Sequence, residues 1–221
     1  MPTSAPQNIT TVISILTQLA PRRVLDIGCG FGKYGVLARE YLDVWHGRLD
    51  KRDWTTELIG IEAHAPYRNP IHDFVYDKVH YTEAQAALPS LGSFDAALML
   101  DVIEHFEKPA ARELVRDCLA RSRALIISTP SAFYPQAAHF DNRHEEHHSL
   151  WTRDDFDPGV QVRTIRVVAC DIFVASREAL PDSVFALADP ADVVYLRSRQ
   201  KLGPAGFPLS LLLKGLNRLL S

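Results

Sequence analysis

The chain has 221 residues, enough for one domain with embellishments, and its 47% hydrophobic and 23% charged residues match a globular fold with a real core. A formal net charge of -3 supplies no general basic field for nucleic acid. Three scattered cysteines, Cys29, Cys118 and Cys170, fit neither a disulfide framework nor a zinc knuckle and are expected as reduced thiols in a cytoplasmic protein. No basic segment followed by an apolar run opens the chain, and no apolar stretch reaches the roughly 20 residues that span a bilayer.

Residues 1–7 are a polar, proline-containing lead-in. Ile9, Val12, Ile13, Leu16 and Leu19 recur at helical spacing, and Pro21 stops that helix. Residues 23–28 (RVLDIG) predict a buried strand that runs into a glycine turn, followed by a helix over 32–42. The polar stretch 43–57 predicts an extended surface connection. Residues 58–62 predict a second strand, 66–77 a helix or irregular crossover, 79–82 a third strand and 94–100 (FDAALML) a fourth. A helix is expected over 110–120 and a fifth strand over 124–129, ended by Pro130. Continuous apolar strands alternating with helices define an α/β fold with a mostly parallel sheet covered on both faces. Residues 131–158 are polar, aromatic and rich in histidine without a strong period, the composition of a lid or binding loop. Residues 160–169 and 171–176 predict a terminal hairpin, so the sheet is expected to end antiparallel. The domain is expected over 1–180, with the insert 131–158 as its acceptor loop and 181–221 as a C-terminal extension. Within that extension, Leu209, Leu212, Leu213, Leu216 and Leu219 share one face of an amphipathic helix over 207–221, which predicts docking on the core or a homodimer contact.

The strongest motif is Val24-Leu25-Asp26-Ile27-Gly28-Cys29-Gly30-Phe31-Gly32-Lys33-Tyr34-Gly35. Glycines at alternate positions remove side chains where strand becomes helix, so a ligand can approach the backbone and the helix N-terminus; glycine also serves turn geometry alone. Asp26 narrows the choice of ligand. A carboxylate entering the turn repels a pyrophosphate and suits an ammonium. Glu62, at the end of the second strand, can accept from both hydroxyls of a ribose. Its distance from Gly28 exceeds the usual spacing of about 20 residues in dinucleotide folds, which weighs against a nicotinamide ligand.

VLDIGCGFGKYG, GIEA, FDAALMLDVIEHFEKP and ALIISTP resemble, in that order, segments of the class I S-adenosylmethionine-dependent methyltransferases over roughly residues 20–180. The resemblance implies a Rossmann-like three-layer sandwich whose seven-stranded sheet has order 3-2-1-4-5-7-6 with strand 7 antiparallel. It also implies S-adenosyl-L-methionine as cofactor. Asp26, Gly28 and Gly30 would cradle its methionine part, Cys29 between them would also bind the cofactor, and Glu62 would hold the ribose with Ala63 beside it. Glu83 and Ala84 would face the adenine, with Glu83 where the family more often has Asp. Asp101 would border the methionine and the acceptor.

Methyl transfer is an in-line displacement in which the cofactor brings the electrophile and the protein supplies proximity and orientation. An oxygen acceptor also has to lose a proton, for which a histidine near neutral pKa is suited. His139, His144, His147 and His148 fall in the insert. His147 or His148 is expected to point into the acceptor pocket, with Tyr134 and Trp151 as walls; the competing expectation is a solvated loop anchored by Trp151. Asp154 and Asp155 are expected to start a helix. Asp101, Glu104 and His105, with a histidine from the insert, could converge on a divalent cation, as in relatives that methylate RNA 3′ ends and quinones; in other relatives such residues only shape the loop.

The expected function is therefore O-methylation of a small molecule, a sugar or secondary metabolite, with His147, His148 and His105 as candidate catalytic residues and no resident metal required. Three alternatives stay open: a metal-assisted RNA or quinone methyltransferase, an NAD-dependent oxidoreductase, and a non-catalytic cofactor-binding protein. Nucleic acid is disfavoured as acceptor, because the net charge is negative and no basic-aromatic stripe occurs.

Overall fold

A computed structural model of the chain describes residues 3–138 and 141–185. In chain order the elements are α1 (Asn8–Leu19), β1 (Arg23–Ile27), α2 (Lys33–Leu42), β2 (Glu57–Ile61), α3 (Pro70–Val75) and β3 (Lys78–His80). Then follow α4 (Ala84–Ala87), β4 (Phe94–Leu100), α5 (Lys108–Arg121), β5 (Ser122–Pro130), β6 (Gln161–Val167) and β7 (Cys170–Ser176). The seven strands form one sheet in the order β3-β2-β1-β4-β5-β7-β6. Strands β1 to β5 run parallel, and β7 is antiparallel to both β5 and β6. This is the Rossmann-like α/β sandwich that the sequence led us to expect.

The apolar runs explain why both faces are covered. Along β1, Val24 joins the layer built with Val12, Ile15 and Leu16 of α1 and Ala38 and Leu42 of α2. The next residue, Leu25, together with Ile27, joins the opposite layer with Ala111, Leu114 and Cys118 of α5. Alternation along a strand buried on both faces gives this division. α1 ends where Ala20 takes φ +45° and Pro21 follows. Among the described residues, the insert 131–158 contains no element longer than the 3₁₀ turns Arg143–Glu145 and Arg153–Asp155. Thr152 and Asp155 form a capping box on the second turn, and Asp155 also pairs with Lys108 and Arg112 of α5. The end of the insert is thereby fastened to the domain.

The structure departs from the sequence reading in several places. The third strand lies at Lys78–His80, one residue earlier than expected and two shorter at its end, and Tyr81 leaves it to meet His72. The short α4 had no periodic signal. Trp151 is not a pocket wall but anchors the loop in the core, the competing expectation: it is 1% exposed and packs edge-on against Phe156. The connection 43–57 is not extended. It coils into two 3₁₀ turns around Asp43, which is fully buried and accepts from Arg39, Arg48 and the Thr55 backbone. The C-terminal helix expected over 207–221, and the dimer contact it suggested, lie outside the described residues.

Candidate active site

The sheet order reverses between β1 and β4, and a cleft opens at the carboxyl ends of the strands on either side of that point. Asp26, Gly28, Cys29, Gly30, Glu62, Ala63, Glu83, Ala84 and Asp101 all line this one cavity. The turn after β1 holds Gly28 at φ +68°, Gly30 at +54° and Gly32 at +91°, a run of left-handed conformations. The amides of Gly28 and Cys29 both donate to the Ile61 carbonyl, which ties the turn to the end of β2.

Glu62 is buried, and its two oxygens accept from Gly30 N and His64 N, each at 2.8 Å. Burial pushes its pKa up against the pull of those two amides. Each carboxylate oxygen keeps a further lone pair for a ligand hydroxyl. Asp26 is also buried and accepts from Tyr76 Oη at 2.6 Å. Burial raises its pKa to about 7; the Tyr76 hydrogen bond opposes the rise and the neighbouring Glu62 carboxylate adds to it.

Tyr76 belongs to a brace behind the glycine turn that the sequence did not disclose. One turn earlier, His72 is 1% exposed, and its Nε2 lies 2.8 Å from the Gly30 carbonyl. A carbonyl only accepts, so Nε2 carries the proton and Nδ1 accepts from Tyr81 Oη at 2.8 Å. Two glycines make room for this brace. A Cβ on Gly32 would come within 3.2 Å of His72, and one on Gly35 within 2.5 Å of Tyr76. Both let α3 and the residue after it pack closely on the start of α2, and Gly32 also supplies the left-handed φ at the helix N-cap.

On the β4 side, Asp101 takes φ +55° and accepts from Ser128 Oγ at 2.5 Å and from Ala5 N at 2.8 Å. The N-terminal segment is thus drawn across the cleft, where Thr3 and Ser4 join its lining. Lys33, the first residue of α2, donates from Nζ to the Ser4 carbonyl at 2.5 Å.

The histidines fall differently from the expectation. His105 lines the cavity, and so does His144, but His147 and His148 do not. The loop direction is set by its backbone: His147 N donates to Gln136 O, and the amides of His148 and Ser149 donate to Glu104 O. His148 is left exposed, 3.7 Å from Glu107. His147 lies against His105, with ring centroids 5.1 Å apart, and Tyr134 meets it edge-on at 4.7 Å.

Glu104, His105 and His147 each offer one ligand atom, and these atoms lie within 4.8 Å of one another. Glu104 is 2% exposed, its Oε2 has no hydrogen-bond partner, and burial followed by the Asp101 charge pushes its carboxyl to about 8. Both imidazoles use Nδ1 toward backbone carbonyls, those of Glu146 and Tyr134, which leaves each Nε2 with a free lone pair. Burial lowers the pKa of both, favouring the neutral, ligating form. These residues fit a divalent cation. Asp101 is not in this cluster; its carboxylate accepts from Ala5 and Ser128.

A family model described as "Methyltransferase domain" matches residues 5–158, and the chain belongs to that family. No curated protein matches. Among solved structures, the bifunctional kinase-methyltransferase WbdD is 15% identical, with TM-score 0.59 over 82% of this chain and 42% of WbdD. The chain therefore spans under half the length of WbdD. The N-terminal domain of EvdMO1 with SAH bound is 15% identical, with TM-score 0.54 over 80% of this chain and 83% of that one. Magnesium protoporphyrin IX methyltransferase from Synechocystis PCC 6803, with bound SAM, is 18% identical, with TM-score 0.52 over 78% of this chain and 79% of that one. At these identities the likeness establishes the shared fold. No helix among the described residues is long and apolar enough to cross a membrane.

Proposed function

We propose that this domain transfers the methyl group of S-adenosyl-L-methionine to a hydroxyl oxygen of a small molecule, a sugar or secondary metabolite. The observation that carries the reading is the pairing of Asp26 and Glu62, two buried carboxylates on either side of a left-handed glycine turn in one cleft. The cofactor supplies an electrophilic methyl group on sulfur. Asp26 attracts its ammonium, Glu62 takes the ribose hydroxyls, and Glu83 and Ala84 border the adenine. SAH and SAM in two structures of the same fold support the assignment. Its position on the cavity wall and its lowered pKa support His105 as the base that takes the proton of an acceptor hydroxyl. Calorimetric titration with S-adenosylhomocysteine, with NAD as control, tests the cofactor; transfer of labelled methyl groups to a panel of hydroxylated metabolites tests the reaction. Binding of NAD instead would overturn the proposal in favour of an oxidoreductase.

Affinity for the cofactor product should depend on pH. Asp26 is a carboxyl raised to about 7, so it is anionic and attracts an ammonium above that value and loses the attraction as pH falls through it. The groups facing it are Tyr76, Glu62, Cys29 and Tyr34. The dissociation constant of S-adenosylhomocysteine is expected to rise between pH 8 and pH 6, by up to about tenfold per unit below the inflection. In Tyr76→Phe, which removes only the hydroxyl that stabilises the anion, the inflection should move to higher pH. A flat profile in the wild type would count against the role of Asp26.

A second reading rests on the Glu104, His105 and His147 cluster. A divalent cation held there would favour an acceptor with vicinal hydroxyls, as in an RNA 3′ end or a reduced quinone, by polarising an acceptor oxygen. Direct titration with Mg²⁺ or Mn²⁺ is then expected to show one site that is lost in Glu104→Gln, with methyl transfer abolished by a chelator. Activity insensitive to chelation, with no cation bound, would remove this reading and leave His105 as the base.

A further inference from the structure

The cleft poses an electrostatic problem that the residues assigned so far do not solve. Its walls carry five carboxylates, Asp26, Glu62, Glu83, Asp101 and Glu145. The methionine part of the methyl donor brings an ammonium and a carboxylate, and the second needs a cation or a set of aligned donors. Among the described residues, Lys33 is the single lysine or arginine on the cavity wall. It opens α2, so its side chain stands beside the helix N-terminus, where the macrodipole also favours an anion. Its Nζ is held by the Ser4 carbonyl at 2.5 Å, and an ammonium has three donors, so two remain for a ligand.

We propose that Lys33 binds the α-carboxylate of the methyl donor, with the N-terminal segment holding its Nζ in place through Ser4. The inference rests on the cofactor reading above and deepens it. Asp26 and Lys33 then read the two ends of one amino-acid group, with Asp26 taking the ammonium and Lys33 the carboxylate. The N-terminal segment has a defined part in this. Ala5 N is fastened to Asp101, Ser4 O to Lys33, and Thr3 and Ser4 close that side of the cleft.

The test compares two ligands on three proteins. S-Adenosylhomocysteine and 5′-methylthioadenosine are titrated into wild type, Lys33→Met and Lys33→Arg. The second ligand keeps adenosine and sulfur and lacks the amino-acid group. Lys33→Met is expected to weaken S-adenosylhomocysteine about 10- to 100-fold, the scale of a hydrogen bond to a charged group, while 5′-methylthioadenosine stays within about twofold. Lys33→Arg should recover most of the loss. Unchanged binding of S-adenosylhomocysteine by Lys33→Met overturns the proposal. Equal weakening of both ligands overturns it as well, because the lysine then acts through the shape of the cleft. If neither ligand binds the wild type, the cofactor assignment itself fails, and that is read before any variant is made.

Discussion

Gly28→Val is expected to abolish detectable binding of S-adenosylhomocysteine. Two independent costs fall on this substitution. Gly28 sits at φ +68°, a conformation that costs a residue with a Cβ roughly 1–2 kcal/mol, more when it is β-branched. The new Cβ would also lie 2.5 Å from Val102 Cγ2, and forcing extra atoms into a packed contact costs about 1–3 kcal/mol. Either the turn or the loop after β4 must move, and both line the cleft. A combined cost of about 2–5 kcal/mol, borne by the binding conformation, corresponds to a ligand weakened at least about 30-fold, at 1.4 kcal/mol for each factor of ten. Calorimetry reads the affinity, and circular dichroism checks that the sheet survives. The double variant Gly28→Ala with Val102→Ala removes the overlap and keeps the backbone cost, so it should bind again, more weakly than wild type. Unchanged affinity in Gly28→Val would mean that the cofactor lies elsewhere.

That result would also separate what the sequence could disclose about this turn from what it could not. Alternating glycines were legible as a site where backbone must be bare. The reasons differ along the motif: Gly28 is demanded by φ and by Val102, Gly32 by φ and by His72, and Gly35 by the room Tyr76 needs. The partners are far away in sequence, and a polar contact between distant elements leaves no period to read. For the same reason His72, Tyr76 and Lys33 were missed; the signal available for Lys33 was a cation directly after the glycine turn. The sheet was more legible. Continuous apolar runs bounded by polar residues define buried strands, and for Phe94–Leu100 the predicted and observed limits coincide. The insert 131–158 was recognisable as a loop, but its direction depends on backbone amides reaching Gln136 and Glu104. Side-chain chemistry therefore pointed to His147 and His148 as pocket residues, whereas the fold turns His144 inward and sets His147 behind His105.

The second large effect is expected on stability, from Arg39→Leu. The 43–57 connection reads as solvated chain, yet it is held by a charge pair of which Arg39 is 3% and Asp43 0% exposed. Arg39 satisfies the Val75 carbonyl at 2.7 Å and the Thr56 carbonyl, bonds Asp43 at 3.0 Å, and lies 4.5 Å from the Trp54 ring centre. Its contact with the half-exposed Asp77 is a lesser contribution. Asp43 feels burial, which raises its pKa, and the hydrogen bonds from Thr55, Arg48 and Arg39, which together bring it below the ordinary value. Removing the guanidinium leaves two backbone carbonyls without donors and a buried carboxylate with Arg48 as its remaining ion-pair partner. Breaking a buried pair from one side costs about 3–5 kcal/mol, which for a domain of this size lowers the thermal midpoint by roughly 6–20 °C. The depressed carboxyl of Asp43 stabilises the fold above its unfolded pKa, and that contribution fades as pH falls through the folded one. The gap between wild type and Arg39→Leu should therefore narrow in acid. Urea denaturation at neutral and acidic pH measures both quantities. A loss below about 1 kcal/mol at neutral pH would show that water replaces the guanidinium there, and that the connection after α2 is held by its aromatic contacts instead.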